Sequence, residues 1–134
     1  MKYFFSYKQT WNDLVKLRQN LEIISQIFTD KWDETFIFFR DLENWWEKGT
    51  PVNEVLKLAF SEIDKSDCIF AFIDNESKSE WMLLELGYAK SKWKKIILAI
   101  KSDLWFLLVR EIADSIIEFI DFDDLIKKLD NSYF

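Results

Sequence analysis

Six consecutive residues near the middle of the chain, Cys68–Ile73 (CIFAFI), carry no polar side chain. The run is far too short for a membrane span, which needs ~20 apolar residues, and so is the apolar run 96–100. A run of this length fits a strand covered on both faces. Such strands belong to parallel sheets packed between two layers of helices.

The rest of the chain supplies the partners such a strand needs. Lys2–Tyr7 is a short apolar and aromatic run that reads as a first strand, and 35–39 (TFIFF) reads as a second. Between them, 12–28 places Leu14, Leu17, Leu21, Ile24 and Phe28 at steps of three and four, the spacing of an amphipathic helix. Residues 41–50 carry loop signals and end at Gly49-Thr50-Pro51. A helix then opens at Pro51 or Val52 and runs to about Lys65, with Val55, Leu58, Ala59 and Ile63 facing inward. After CIFAFI comes a polar turn (DNESK), and Ser79 is placed to cap a helix over 80–92. A fourth strand is expected over 95–100, a helix over 104–113, a fifth strand over 116–120 and a closing helix over 122–129. Repeats, linkers and low-complexity segments are not seen.

Five rounds of strand and helix predict an α/β fold with right-handed crossovers. At 134 residues the expectation is one domain over 1–134. Its architecture is a flavodoxin-like or Rossmann-like three-layer sandwich whose five-stranded parallel sheet has the order 2-1-3-4-5. That order puts a ligand crevice at the carboxyl ends of strands 1 and 3. The tips there are Ser6-Tyr7-Lys8 and Asp74-Asn75, leading toward Ser79 and Glu85.

Composition narrows the chemistry. Without histidine, a Ser–His–Asp triad, a Cys–His dyad and a His-ligated zinc are excluded. The lone Cys68 forms neither an internal disulfide nor a thiolate cluster and fits a reducing compartment. A net charge of −6 argues against nucleic acid as a partner, since phosphate backbones call for surplus cations. The N-terminus lacks a signal-peptide layout, because only three apolar residues separate Lys2 from Ser6. The expectation is a soluble, cytoplasmic protein that binds neither membrane nor nucleic acid.

One imbalance stands out. Glycine occurs twice and tryptophan seven times. Average usage calls for about 9 glycines in a chain of this length, so the shortfall matches the tryptophan count. Several tryptophans also stand where turn chemistry asks for glycine: Trp11 after a strand, Trp45-Trp46 in a polar loop, Trp93 at a helix end. Some bacterial lineages decode UGA as glycine, whereas a common translation table decodes it as tryptophan. Two readings stay open: glycines written as tryptophans, or an aromatic-rich protein, since phenylalanine occurs 13 times.

The most informative segment is 66–100. Glu85 lies among Met82, Leu83, Leu84, Leu86, Gly87 and Ala89, so its carboxylate is expected to be partly desolvated and more reactive. The alternative is a solvated helix residue. Gly87 costs about 1 kcal/mol relative to alanine inside a helix, which close approach of backbone or ligand would explain. Tyr88, three residues after Glu85, would share its helix face. Glu118, Asp121, Asp123 and Asp124 form an acidic cluster that reads as a solvated edge rather than a cation site. Lys92, Lys94 and Lys95 read as the basic end of a helix.

A strand, a polar turn, S-x-x-x-x-x-E-L-G-Y-A from Ser79, a basic turn and an IILAI strand together resemble the nucleoside 2-deoxyribosyltransferase-like superfamily. That superfamily also holds the 2′-deoxynucleoside 5′-phosphate N-hydrolases. The resemblance extends to FFSYKQT at the first strand and REIADSIIEF near the end, and so spans nearly the whole chain. It implies that Glu85 is a nucleophile on the anomeric carbon of a deoxynucleoside or deoxynucleotide, passing through a glycosyl-enzyme ester. Asp74 and Tyr88 are then supporting catalytic residues, and Ser6, Tyr7, Ser79, Trp81 and Gly87 contact substrate. Ser79 at this position leans toward phosphate or hydroxyl binding at the helix N-terminus, with a plain cap as the alternative. The family's second acidic residue has no clear counterpart, and the turn before the motif is longer than in the nucleotide hydrolases. The resemblance calls for no cofactor and no metal, a small-molecule nucleoside or nucleotide as ligand, and a homo-oligomer.

SEWMLLEL and KYFFSY are also similar to TIR domains, in whose enzymatic members the matching glutamate cleaves the nicotinamide–ribose bond of NAD. Both resemblances nominate Glu85 and a glycosidic C–N bond. Trp81 separates them: TIR domains carry tryptophan there, the transferase-like proteins a small residue, often glycine. A third expectation is a non-catalytic nucleotide-sensing or protein-interaction module on the same fold.

Overall fold

The structure is a computed structural model that describes residues 1–8, 13–77 and 79–132. Trp11, Asn12 and part of the FFSYKQT motif lie outside the described residues, as does Lys78 of the DNESK turn. Five strands, β1 (Lys2–Tyr7), β2 (Glu34–Phe36), β3 (Cys68–Ile73), β4 (Lys95–Lys101) and β5 (Ser115–Phe119), form one sheet in the order β2-β1-β3-β4-β5. All pairings are parallel. The helices are α1 (Leu14–Asp30), α2 (Phe38–Asp41), α3 (Val52–Asp64), α4 (Glu80–Ser91), α5 (Leu107–Ile112) and α6 (Phe122–Asp130). The expected α/β sandwich and strand order are what the chain adopts. No helix among the described residues is long and apolar enough to cross a membrane.

Strand parity sorts the core into two layers. Phe4, Ile69, Ala71, Ile96 and Leu98 point to the side covered by α3, α4 and α5. Tyr3, Phe5, Phe70, Phe72 and Ile97 point to the side covered by α1 and α6, where Phe5, Phe28 and Phe70 meet with centroids 5.1–5.4 Å apart. Because side chains alternate along a strand, Ser6 follows Phe4 onto the α4 side. Its sheet neighbour in register is Ala71. Two short side chains side by side at the carboxyl end of the central strands leave depth for a longer group from the helix above.

The second strand is shorter than 35–39. After Phe36 the chain turns into α2, and the cause is local. The Ile37 N–H donates to Asp41 Oδ2 at 2.9 Å, while Arg40 ties itself to the Thr35 carbonyl at 2.7 Å and to Ser25 Oγ at 2.9 Å. As an edge strand, β2 has only β1 to hold it extended. The fifth helix is also shorter than 104–113, since Phe106 sits at φ 36 just before it. The acidic residues near the C-terminus have ordinary partners: Asp121 caps α6, Asp124 pairs with Lys128 at 3.2 Å, and Glu118 pairs with Arg110.

Candidate active site

Glu85 projects from α4 toward β1 and is 3% exposed. Ser6 Oγ donates to its Oε1 at 2.8 Å, and Trp81 Nε1 donates to its Oε2 at 3.0 Å. The first bond ties helix to sheet; the second spans one helical turn, the i,i+4 spacing at which side chains meet. Burial pushes the Glu85 carboxyl up to about 8, while the two hydrogen bonds pull the other way and are outweighed. A carboxyl poised near neutrality is suited to proton transfer and to nucleophilic attack.

The carboxyl borders a cavity of about 480 Å³ at the carboxyl end of β1. That volume lies within the range of small-molecule sites. Phe38 and Phe39 from α2 form an aromatic wall, with Trp81 edge-on to Phe38 at 5.9 Å. Tyr7 contributes its ring, packed edge-to-face on Phe39 at 5.7 Å, and its hydroxyl accepts from the Phe39 N–H at 3.4 Å. Burial keeps that phenol protonated well above the usual tyrosine range. Lys8 and Ser79 stand at the mouth. Ser79 also caps α4, its Oγ accepting from the Met82 N–H at 3.2 Å, so the cap and a site position coincide. Beyond them a more apolar hollow of about 220 Å³ runs toward Phe106 and Leu107.

The cavity thus gathers Glu85, Tyr7, Ser79 and Trp81, with Ser6 held to it through Glu85, and leaves three of the expected residues elsewhere. Asp74 is exposed at the tip of β3, accepts a hydrogen bond from Asn75 Nδ2 at 2.9 Å and does not line the cavity. Tyr88 turns away: its ring stacks on Phe60 at 4.1 Å and its hydroxyl donates to Asp64 at 2.8 Å. Gly87 is exposed, and a Cβ built on it meets nothing within 4 Å, so close approach does not explain this glycine.

One wall residue carries no signal in the sequence. Glu43, in the loop after α2, lines the cavity at 8% exposure, and among the described residues its carboxylate has no ion-pair partner. It sits in a polar segment that reads as solvated loop, yet the fold places it in one cavity wall with Tyr7, Phe38 and Phe39. No cluster of three or more metal-ligating side chains occurs among the described residues.

Comparison with solved structures shows the same fold in three proteins, two of them named as enzymes. A CMP N-glycosidase from Clostridium botulinum superposes with a TM-score of 0.75 at 19% identity, over 97% of this chain and 98% of that one. A 2-deoxyribosyltransferase from Bacillus psychrosaccharolyticus superposes with a TM-score of 0.71 at 20% identity, over 100% and 93%. A conserved protein from Enterococcus faecalis V583 follows at 0.68 and 15%, over 96% of each chain. No protein-family model and no curated protein matches the chain.

Proposed function

We propose that the chain cleaves or transfers across the N-glycosidic bond of a deoxynucleoside or deoxynucleotide, with Glu85 as nucleophile. The observation that carries this reading is a buried carboxylate held by the Ser6 hydroxyl and set in a ligand-sized cavity at the sheet's switch point. The fold it shares with an N-glycosidase and a deoxyribosyltransferase supports the same bond type.

In this reading an oxygen of the ionised Glu85 attacks the anomeric carbon as the C–N bond breaks, and the base leaves with the bonding pair and takes a proton from solvent water. Water or an incoming base then attacks the same carbon, the ester C–O bond breaks, and the Glu85 carboxylate is restored. Ser6 holds one oxygen of the nucleophile. The aromatic wall of Phe38 and Phe39 takes a flat base, and Glu43 accepts an N–H from its edge, as carboxylates do from an exocyclic amino group. Lys8 and the N-terminus of α4 behind Ser79 suit a 5′-phosphate.

A second reading, cleavage of the nicotinamide–ribose bond of NAD, is favoured by the indole at position 81 and uses the same nucleophile. The test is release of free base, followed by chromatography, from deoxynucleosides, deoxynucleotides, CMP and NAD, with Glu85→Ala as control. Base release that disappears in Glu85→Ala supports the reading, and the responding substrate chooses between the two ligands. Binding of these compounds without release would point instead to a sensing module.

A further inference from the structure

Six non-glycine residues among those described have φ in the left-handed region, and four of them are tryptophans: Trp32 (70°), Trp45 (53°), Trp46 (73°) and Trp93 (61°). Neither glycine does. An L-residue pays there for the crowding of its Cβ against backbone, which glycine avoids, and a bulky side chain at such an angle is an outlier. Asn44 belongs to the types that tolerate the region; Phe106 is the other large exception among the described residues.

Two of the four occupy the same motif. Past α1, the Trp32 N–H donates to the Thr29 carbonyl at 3.0 Å and the Asp33 N–H to the Phe28 carbonyl at 3.1 Å. Past α4, the Trp93 N–H donates to Lys90 at 3.1 Å and the Lys94 N–H to Ala89 at 3.0 Å. Both pairs are the nested bonds of a Schellman cap, whose left-handed residue is usually glycine. Both indoles are 94% exposed, so no packing compensates the backbone. Trp45 and Trp46 put two consecutive indoles in the same region, and the buried Trp46 Nε1 has no hydrogen-bond partner.

We infer that the codons written as tryptophan are UGA triplets that the source cells decode as glycine, so that the protein carries glycine at 11, 32, 45, 46, 81, 93 and 105. The consequence for the site lies at position 81. Trp81 donates to Glu85 Oε2, packs against Phe38 and lines the same cavity, so its indole fills space beside the carboxylate. Glycine at the second residue of α4 leaves that oxygen bare toward the cavity and gives a sugar ring room against it. It also removes the one side chain that favours NAD. This consequence rests on the glycosidic reading; the decoding does not.

Codon sequence and peptide mass test the decoding without reference to activity. UGA codons, together with glycine masses at 32, 81 and 93 in protein isolated from the organism's own cells, are the expected result. UGG codons, or tryptophan masses, overturn the inference. For the site, base release is compared between the chain as written and a version with all seven tryptophans replaced by glycine, each also carrying Glu85→Ala. The expected result is a gain of at least tenfold in the glycine version that vanishes with Glu85→Ala. Equal activity in both versions overturns the role given to position 81. Glycine masses with no base release from any version overturn the glycosidic reading and leave the decoding standing.

Discussion

Ser6 and Glu85, 79 residues apart in sequence, meet at 2.8 Å because strand parity turns Ser6 toward α4 and helical register turns Glu85 toward β1. The bond joins the first strand to the fourth major helix at the point where the sheet order reverses. It holds Oε1 of a carboxyl that burial has pushed up to about 8. Its chemistry therefore depends on pH in a direction that can be stated.

A carboxylate nucleophile works ionised. The expected kcat/KM for base release climbs about tenfold per pH unit below the Glu85 value and levels off above about 8. Glu85→Gln abolishes release at every pH. A rate that falls through this range would make Glu85 an acid instead, and the nucleophile assignment would be wrong.

The same shift is a stability term. The folded value is raised above the ordinary 4.5, so the contribution is fully present below 4.5 and is lost as pH rises through about 8. Relative to Glu85→Gln, which carries no such proton, the chain should lose about 4 kcal/mol between pH 4.5 and 8. Urea unfolding of both proteins across that range reads the difference. Parallel curves would mean the carboxyl is not held out of water.

Ser6→Ala removes a donor that favours the ionised form. The midpoint of the activity profile should move to higher pH, whereas Ser6→Thr, which keeps the hydroxyl, should leave it in place. Stability falls by about 1–3 kcal/mol at alkaline pH, where a buried charge loses a hydrogen bond. An unshifted midpoint in Ser6→Ala would reduce Ser6 to a packing residue.

Glu43→Gln tests the other buried carboxyl of the cavity wall. A carboxylate that accepts from an exocyclic amino group should matter for cytosine and adenine and little for thymine. The expected loss in kcat/KM is about 100-fold for the amino-bearing bases. A uniform loss across bases would assign Glu43 to the architecture of the cavity rather than to reading the base.

The parts legible in the sequence are those set by periodicity. CIFAFI and IILAI are buried on both faces, and the step from Phe4 to Ser6 already puts the hydroxyl on the Phe4 side of the sheet. Glu85 is legible because a lone carboxylate among Met82, Leu83, Leu84 and Leu86 is unusual. What escaped depends on interactions with no period. TFIFF has strand composition, yet Asp41 reaching back to the Ile37 N–H bends it into α2. Glu43 follows that bend and lines the cavity with Tyr7, Phe38 and Phe39. The i,i+3 rule places Tyr88 beside Glu85, but stacking on Phe60 and bonds to Asp64 draw its ring to the α3 side.

Trp32 and Trp93 close helices packed on opposite layers, so their effects on stability should add. Replacing either by glycine removes a left-handed Cβ, a strain of about 1–3 kcal/mol. Glycine's greater freedom in the unfolded chain takes back about 0.5–1 kcal/mol. The net expectation is a gain of about 1 kcal/mol at each site, seen as a raised Tm in Trp32→Gly and in Trp93→Gly. Alanine separates the cause from the loss of an exposed indole, since it keeps the Cβ. Trp32→Ala and Trp93→Ala should therefore leave Tm near that of the chain as written. Alanine variants as stable as the glycine ones would trace the gain to the side chain and remove the backbone argument for glycine at these two caps.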